Sequence, residues 1–141
     1  MPQLKTPWKF IRGEQNFNIW VNLIGQKISL TCGMFRRYNS TVTYLDVNIP
    51  IISEDEFVES FVRKLDEDPE INFTVIDHIT SASALLLPVD RLIKECKKRN
   101  IMVCIDGAHA PGQVELNLEK LRPDFYVGNL HKWCYAVRGT V

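Results

Sequence analysis

The feature that most constrains this chain is the run Ile101-Met-Val-Cys-Ile105, which ends abruptly on Asp106 and is followed by Gly107-Ala-His109-Ala-Pro-Gly112. Its hydrophobicity is continuous rather than alternating. That predicts a strand buried on both faces, as in a parallel sheet covered by helices. A second stretch answers it. Asp124-Phe-Tyr-Val-Gly-Asn-Leu-His131-Lys132-Trp133 is another short apolar run, and it delivers a histidine and a lysine. The two runs predict Asp106 and Lys132 at neighbouring strand ends.

The rest of the chain supplies the partners such strands need. Thr41 to Val47 is β-rich and reads as a strand. Ser53-Glu-Asp-Glu56 is a capping box, and Phe57, Val58, Phe61, Val62 and Leu65 follow at helical spacing until Asp66-Glu-Asp-Pro69 stops them. Phe73 to Asp77 is a compact apolar strand candidate. Pro88 opens a helix whose inner stripe is Leu92, Ile93 and Cys96, with Lys94, Lys97, Lys98 and Arg99 outside and Asn100 closing it. Leu116 to Leu121 reads as a short helix, Phe125-Tyr-Val as a strand, and Val137 to Val141 as the start of one more. This β-α-β order predicts an α/β fold, a mainly parallel sheet with flanking helices. Residues 1–40 keep no clean period. They stand as an unassigned leader, with stray strands or a poorly packed segment both open, ahead of a domain spanning 41–141.

Composition narrows the function classes. The 141 residues suffice for one modest domain, and the formal net charge of zero argues against a nucleic-acid or anionic-membrane partner. No apolar run approaches the roughly 18 residues of a membrane span, and the N-terminus lacks the apolar core of a signal peptide. Cys32, Cys96, Cys104 and Cys134 form no CxxC pair. Reduced thiols and a cytosolic (cytoplasmic) location are the expectation.

In open α/β sheets ligands bind beyond the carboxyl ends of the strands. Three polar clusters fall there: His78 to Ser81, Asp106 to His109, and His131-Lys132. An acid and a lysine in such places admit a plain salt bridge. They also admit a lysine Schiff base to an aldehyde cofactor, with the carboxylate holding a protonated pyridine nitrogen. His109 could then hydrogen-bond the cofactor's phenolic oxygen and His131 could meet a phosphate. A weaker third option is a metal held by Asp106, His109 and His131, for which no further ligand is obvious.

Asp106-Gly-Ala-His109-Ala-Pro-Gly112 and Asp124-Phe-Tyr-Val-Gly-Asn-Leu-His131-Lys132-Trp133 resemble the class V aminotransferase family of pyridoxal-phosphate enzymes, in its isopenicillin-N-epimerase-like and cysteine-desulfurase-like branch. The likeness runs from about Thr41 to Val141 and includes Asp77-His-Ile-Thr-Ser81 and Leu87-Pro88. It implies part of the large domain of a fold-type I enzyme, with pyridoxal 5'-phosphate as cofactor and an amino acid or related amine as substrate. It further implies that Lys132 forms the Schiff base and moves a proton, and that Asp106 pairs with the pyridine nitrogen. His109 would stand near the phenolic oxygen, where relatives often carry glutamine. His131 would help with the phosphate, and Thr80 would touch the cofactor. Such enzymes are usually homodimers with the site at the subunit interface. The family also places a small-residue phosphate loop and a ring-stacking side chain upstream, which residues 1–40 do not match, and a C-terminal domain downstream. The expectation is therefore a fragment holding half a site, of transaminase, epimerase or C–S lyase type. The alternative is a non-catalytic remnant that folds or associates without turnover.

Overall fold

The computed structural model describes residues 18–22, 42–45, 53–81 and 83–141. Five parallel strands form one sheet in the order β2-β1-β3-β4-β5: β1 Asn18–Asn22, β2 Val42–Leu45, β3 Ile71–Asp77, β4 Met102–Gly107 and β5 Phe125–Gly128. Parallel neighbours need crossovers. Helices α1 (Glu54–Glu67), α2 (Val89–Lys98) and α3 (Leu118–Leu121) lie in the three links that lead to β3, β4 and β5. Strand β1 falls inside the stretch whose periodicity is unreadable, and it sits between β2 and β3.

The local signals explain where the helices begin and end. The Ser53 hydroxyl accepts the Glu56 backbone N–H at 3.1 Å, and three acids occupy the positive end of the α1 dipole. Phe57, Val58, Phe61 and Leu65 are buried, as the spacing predicts. In α2 the buried face is Val89, Leu92, Ile93 and Cys96. Asn100 takes a left-handed φ of 56° after that helix, so the chain reverses into β4. Helix α3 starts at Leu118 rather than at Leu116, because the Asn117 side chain accepts the Lys120 N–H at 2.8 Å and caps it there.

One face of the sheet carries the core. Thr74, Ile76, Val103 and Ile105 are fully buried together with Phe61, Leu92, Ile93 and Cys96. The alternate residues Phe73, Val75 and Asp77 on β3 and Met102, Cys104 and Asp106 on β4 are only half-buried. The expectation of burial on both faces of β4 is thus corrected. Both α1 and α2 join the core on the same face, and among the described residues no helix packs on the other. Val137 to Val141 is also not a strand. Thr140 N–H donates to the Val137 carbonyl at 3.1 Å and Gly139 takes a φ of 91°, so this segment is a turn. Among the described residues no helix is long and apolar enough to cross a membrane.

Candidate active site

Because β3, β4 and β5 are parallel, their carboxyl ends emerge along one edge. The ladder sets Asp77 beside Asp106 and Asp106 beside Val127, on the half-buried face. Beyond β5 a short helical turn, α4 (Leu130–Trp133), carries His131 and Lys132.

Two contacts fold α4 back onto the turn after β4. Trp133 Nε1–H donates to the Ala108 carbonyl at 3.0 Å, and its ring meets the His109 ring edge-on at a 5.8 Å centroid distance. Lys132 Nζ then lies 3.1 Å from His109 Nε2. The lysine amine therefore points to the imidazole three residues after Asp106, rather than into a direct ion pair with the acid. The His109 pKa is lowered, first by burial and then by the Lys132 charge, with Asp106 opposing. A neutral His109 can accept a proton of the lysine ammonium through Nε2.

Asp106 is held by its own turn. Its Oδ1 accepts the Ala108 N–H at 2.9 Å, and among the described residues no donor reaches its second oxygen. His131 Nδ1 accepts the Gly139 N–H at 3.0 Å, which assigns the ring proton to Nε2 and leaves that N–H as a donor. Among the described residues no cluster of three or more candidate metal ligands forms.

The Thr80 hydroxyl has its hydrogen-bond partners within its own loop. Thr80 is 2% exposed, and its hydroxyl lies 2.7 Å from that of Ser83 and accepts the Leu85 N–H at 2.8 Å, so it ties its own loop. Sequence reasoning gave no role to Asp77, which the ladder sets beside Asp106, or to Tyr126, which supports the same strand ends from the core face. Asp77 ends an apolar strand just as Asp106 does, and that repeated pattern could have found it. Tyr126 carries no such signal. Its hydroxyl lies 3.0 Å from Nδ1 of the buried His78, and its ring covers Gly107, where an added Cβ would come within 2.3 Å of it. Burial pushes the Tyr126 hydroxyl up to about 12, aided by Asp106, and burial lowers the His78 pKa, so both are neutral near pH 7. The pair spans β4 from β3 to β5 and clamps the strand ends.

A parallel sheet with crossover helices is the architecture of a fold-type I large domain, and solved structures share that fold. The cystine C–S lyase C-DES, in complex with cysteine persulfide, superposes with a TM-score of 0.72 at 19% identity, over 84% of this chain and 32% of that one. The Escherichia coli cysteine desulfurase CsdA gives 0.71 at 18% identity, over 94% and 32%. The chain belongs to the class V aminotransferase family, whose model matches residues 38–141. That family consists of pyridoxal-phosphate-dependent enzymes. A probable chloroplastic L-cysteine desulfhydrase of Arabidopsis thaliana is 32% identical over 105 residues, covering 71% of this chain and 22% of that protein. The isopenicillin N epimerase of Amycolatopsis lactamdurans is 37% identical over 91 residues, covering 64% and 22%. The chain spans about a fifth of the length of the curated relatives it matches.

Proposed function

We propose that this chain is the cofactor-binding core of a class V enzyme acting on an amino acid or related amine, with Lys132 as the residue that bonds the cofactor aldehyde. The observation that carries this reading is the placement of the Lys132 amine against His109, on the strand-end edge where Asp106 keeps one carboxylate oxygen open. The donor set fits pyridoxal phosphate: an anionic oxygen for a ring nitrogen, a primary amine, and an imidazole N–H for a phosphate.

Bound there, the group supplies an electron-withdrawing pyridinium ring that stabilises a carbanion at the substrate α-carbon. Asp106 would hold the ring nitrogen's proton through its open oxygen. Lys132 would supply the amine that bonds the group and, when free, would move a proton at the substrate α-carbon. His109, neutral, accepts from the Lys132 ammonium and would lie on the side of the phenolic oxygen. His131 would offer its Nε2–H to the phosphate. Most of the relatives' names, desulfhydrases and a sulfoxide lyase beside one epimerase, favour a sulfur-bearing amino acid and C–S cleavage. Homodimerisation belongs to the same proposal. Lys132 and Trp133 are exposed, so the edge can take residues from a second subunit. A cytosolic location is part of it too, supported by free thiols at Cys96, Cys104 and Cys134.

The test is reductive trapping. Purified protein is mixed with pyridoxal phosphate, reduced with borohydride, and the modified peptide is mapped by mass. Modification at Lys132, lost in Lys132→Ala, is expected. Labelling spread over surface lysines and unchanged in that variant would overturn the reading. Specific trapping with no turnover of L-cysteine or other amino acids would favour the second reading, a remnant that binds without catalysis.

A further inference from the structure

Asp77 and Asp106 are direct partners in the β3–β4 ladder. Parallel neighbours in register project from the same face of the sheet, with their strands about 4.8 Å apart. Two carboxylates so placed, both half-buried, disfavour double ionisation. Their surroundings are unequal. Asp106 Oδ1 accepts the Ala108 N–H, whereas among the described residues no donor reaches Asp77. The charged group facing Asp77 from β4 is Asp106, and from α4 it is Lys132. His78, the next residue, is hydrogen-bonded to Tyr126 on β5.

We propose that Asp77 is a positioning residue of the site: it keeps one proton against Asp106, so that the paired strand ends carry a single negative charge and Asp106 bears it. With its proton retained, Asp77 adds no second charge beside Asp106, whose open carboxylate oxygen stays available for the ring nitrogen. The placement of that charge rests on the functional reading above; the shared proton does not. In support, burial pushes Asp77 up to about 7, the repulsion of Asp106 adds to the shift, and Lys132 partly offsets it.

The experiment is a carboxyl-carbon NMR titration of the full chain labelled at aspartate, without cofactor, in wild type, Asp77→Asn and Asp106→Asn. The expected result is one resonance titrating near 7. It should vanish in Asp77→Asn and move down by roughly one pH unit or more in Asp106→Asn, as coupled sites do. If Asp77→Asn fails to fold, the move in Asp106→Asn still identifies the group. A wild-type Asp77 that titrates with ordinary carboxylates, or one unmoved in Asp106→Asn, would overturn the proposal. Since no cofactor is present, failure of Lys132 trapping leaves this result standing, and failure here leaves the trapping result standing. A further arm follows Lys132 trapping against pH. Wild type should show a step near neutrality that Asp77→Asn lacks, a loss that a merely structural role would not produce.

Discussion

Lys132 Nζ lies 3.1 Å from His109 Nε2 although the two residues are 23 positions apart. Trp133, the next residue, pins α4 to Ala108, beside His109. An ammonium and an imidazolium would repel at that distance, so the pair requires a neutral histidine. The His109 pKa is lowered, by burial first. With an unfolded value near 6.5, the unfolded chain binds the proton first as pH falls, and folded-state stability then drops. We expect wild-type thermal stability to decline below about pH 6.5 more steeply than that of His109→Gln, which cannot titrate. Melting curves of both across mildly acidic pH check this, and parallel curves would refute it.

Gly107 is a packing requirement rather than a flexible joint. A Cβ there would meet the Tyr126 ring at 2.3 Å. Gly107→Ala should cost about 1–3 kcal/mol by overpacking, measured by denaturant titration. Tyr126→Phe removes the hydroxyl bonded to buried His78 and should cost about 1–3 kcal/mol by leaving that nitrogen unpaired. A neutral result for either would show that the strand ends are not clamped as the geometry indicates.

The legible parts of the molecule were those fixed by local chemistry. Ser53 caps α1, the apolar stripes of α1 and α2 are the buried ones, and of the run Ile101 to Ile105 the residues Ile101, Val103 and Ile105 are buried. Strand β1 was illegible because five residues between glycines carry no readable period, and only pairing with β2 and β3 defines them. The two-faced burial expected of β4 failed because an apolar run reports what a strand tolerates, not which helices reach it. In the site, Asp106, His109 and Lys132 could be grouped by strand-end position. That the Thr80 hydroxyl ties its own loop was not legible, since which way a hydroxyl turns is a tertiary fact. Asp77 and Tyr126 acquire meaning only from the register of β3, β4 and β5.

The core makes a sharper demand than the surface. Leu92 of α2 is fully buried in the core, so Leu92→Ala should cost about 2–5 kcal/mol. Ser53→Ala removes only the α1 cap and should cost about 1 kcal/mol. Urea titrations of the two variants should therefore separate clearly, with the order reversed only if α1 frays independently of the core.

His131 offers a test of phosphate recognition that is independent of the Lys132 bond. Its Nδ1 is occupied by the Gly139 N–H, so Nε2–H is the side it can present to an anion. A hydrogen bond to a charged group contributes about 1.5–3 kcal/mol, or roughly ten-fold or more in affinity. His131→Ala should therefore weaken pyridoxal phosphate binding by that factor and leave binding of pyridoxal, which lacks the phosphate, nearly unchanged. Equilibrium titrations with both compounds on both proteins form the comparison. Equal losses for the two ligands would mean that His131 supports the turn through Gly139 and does not meet the phosphate.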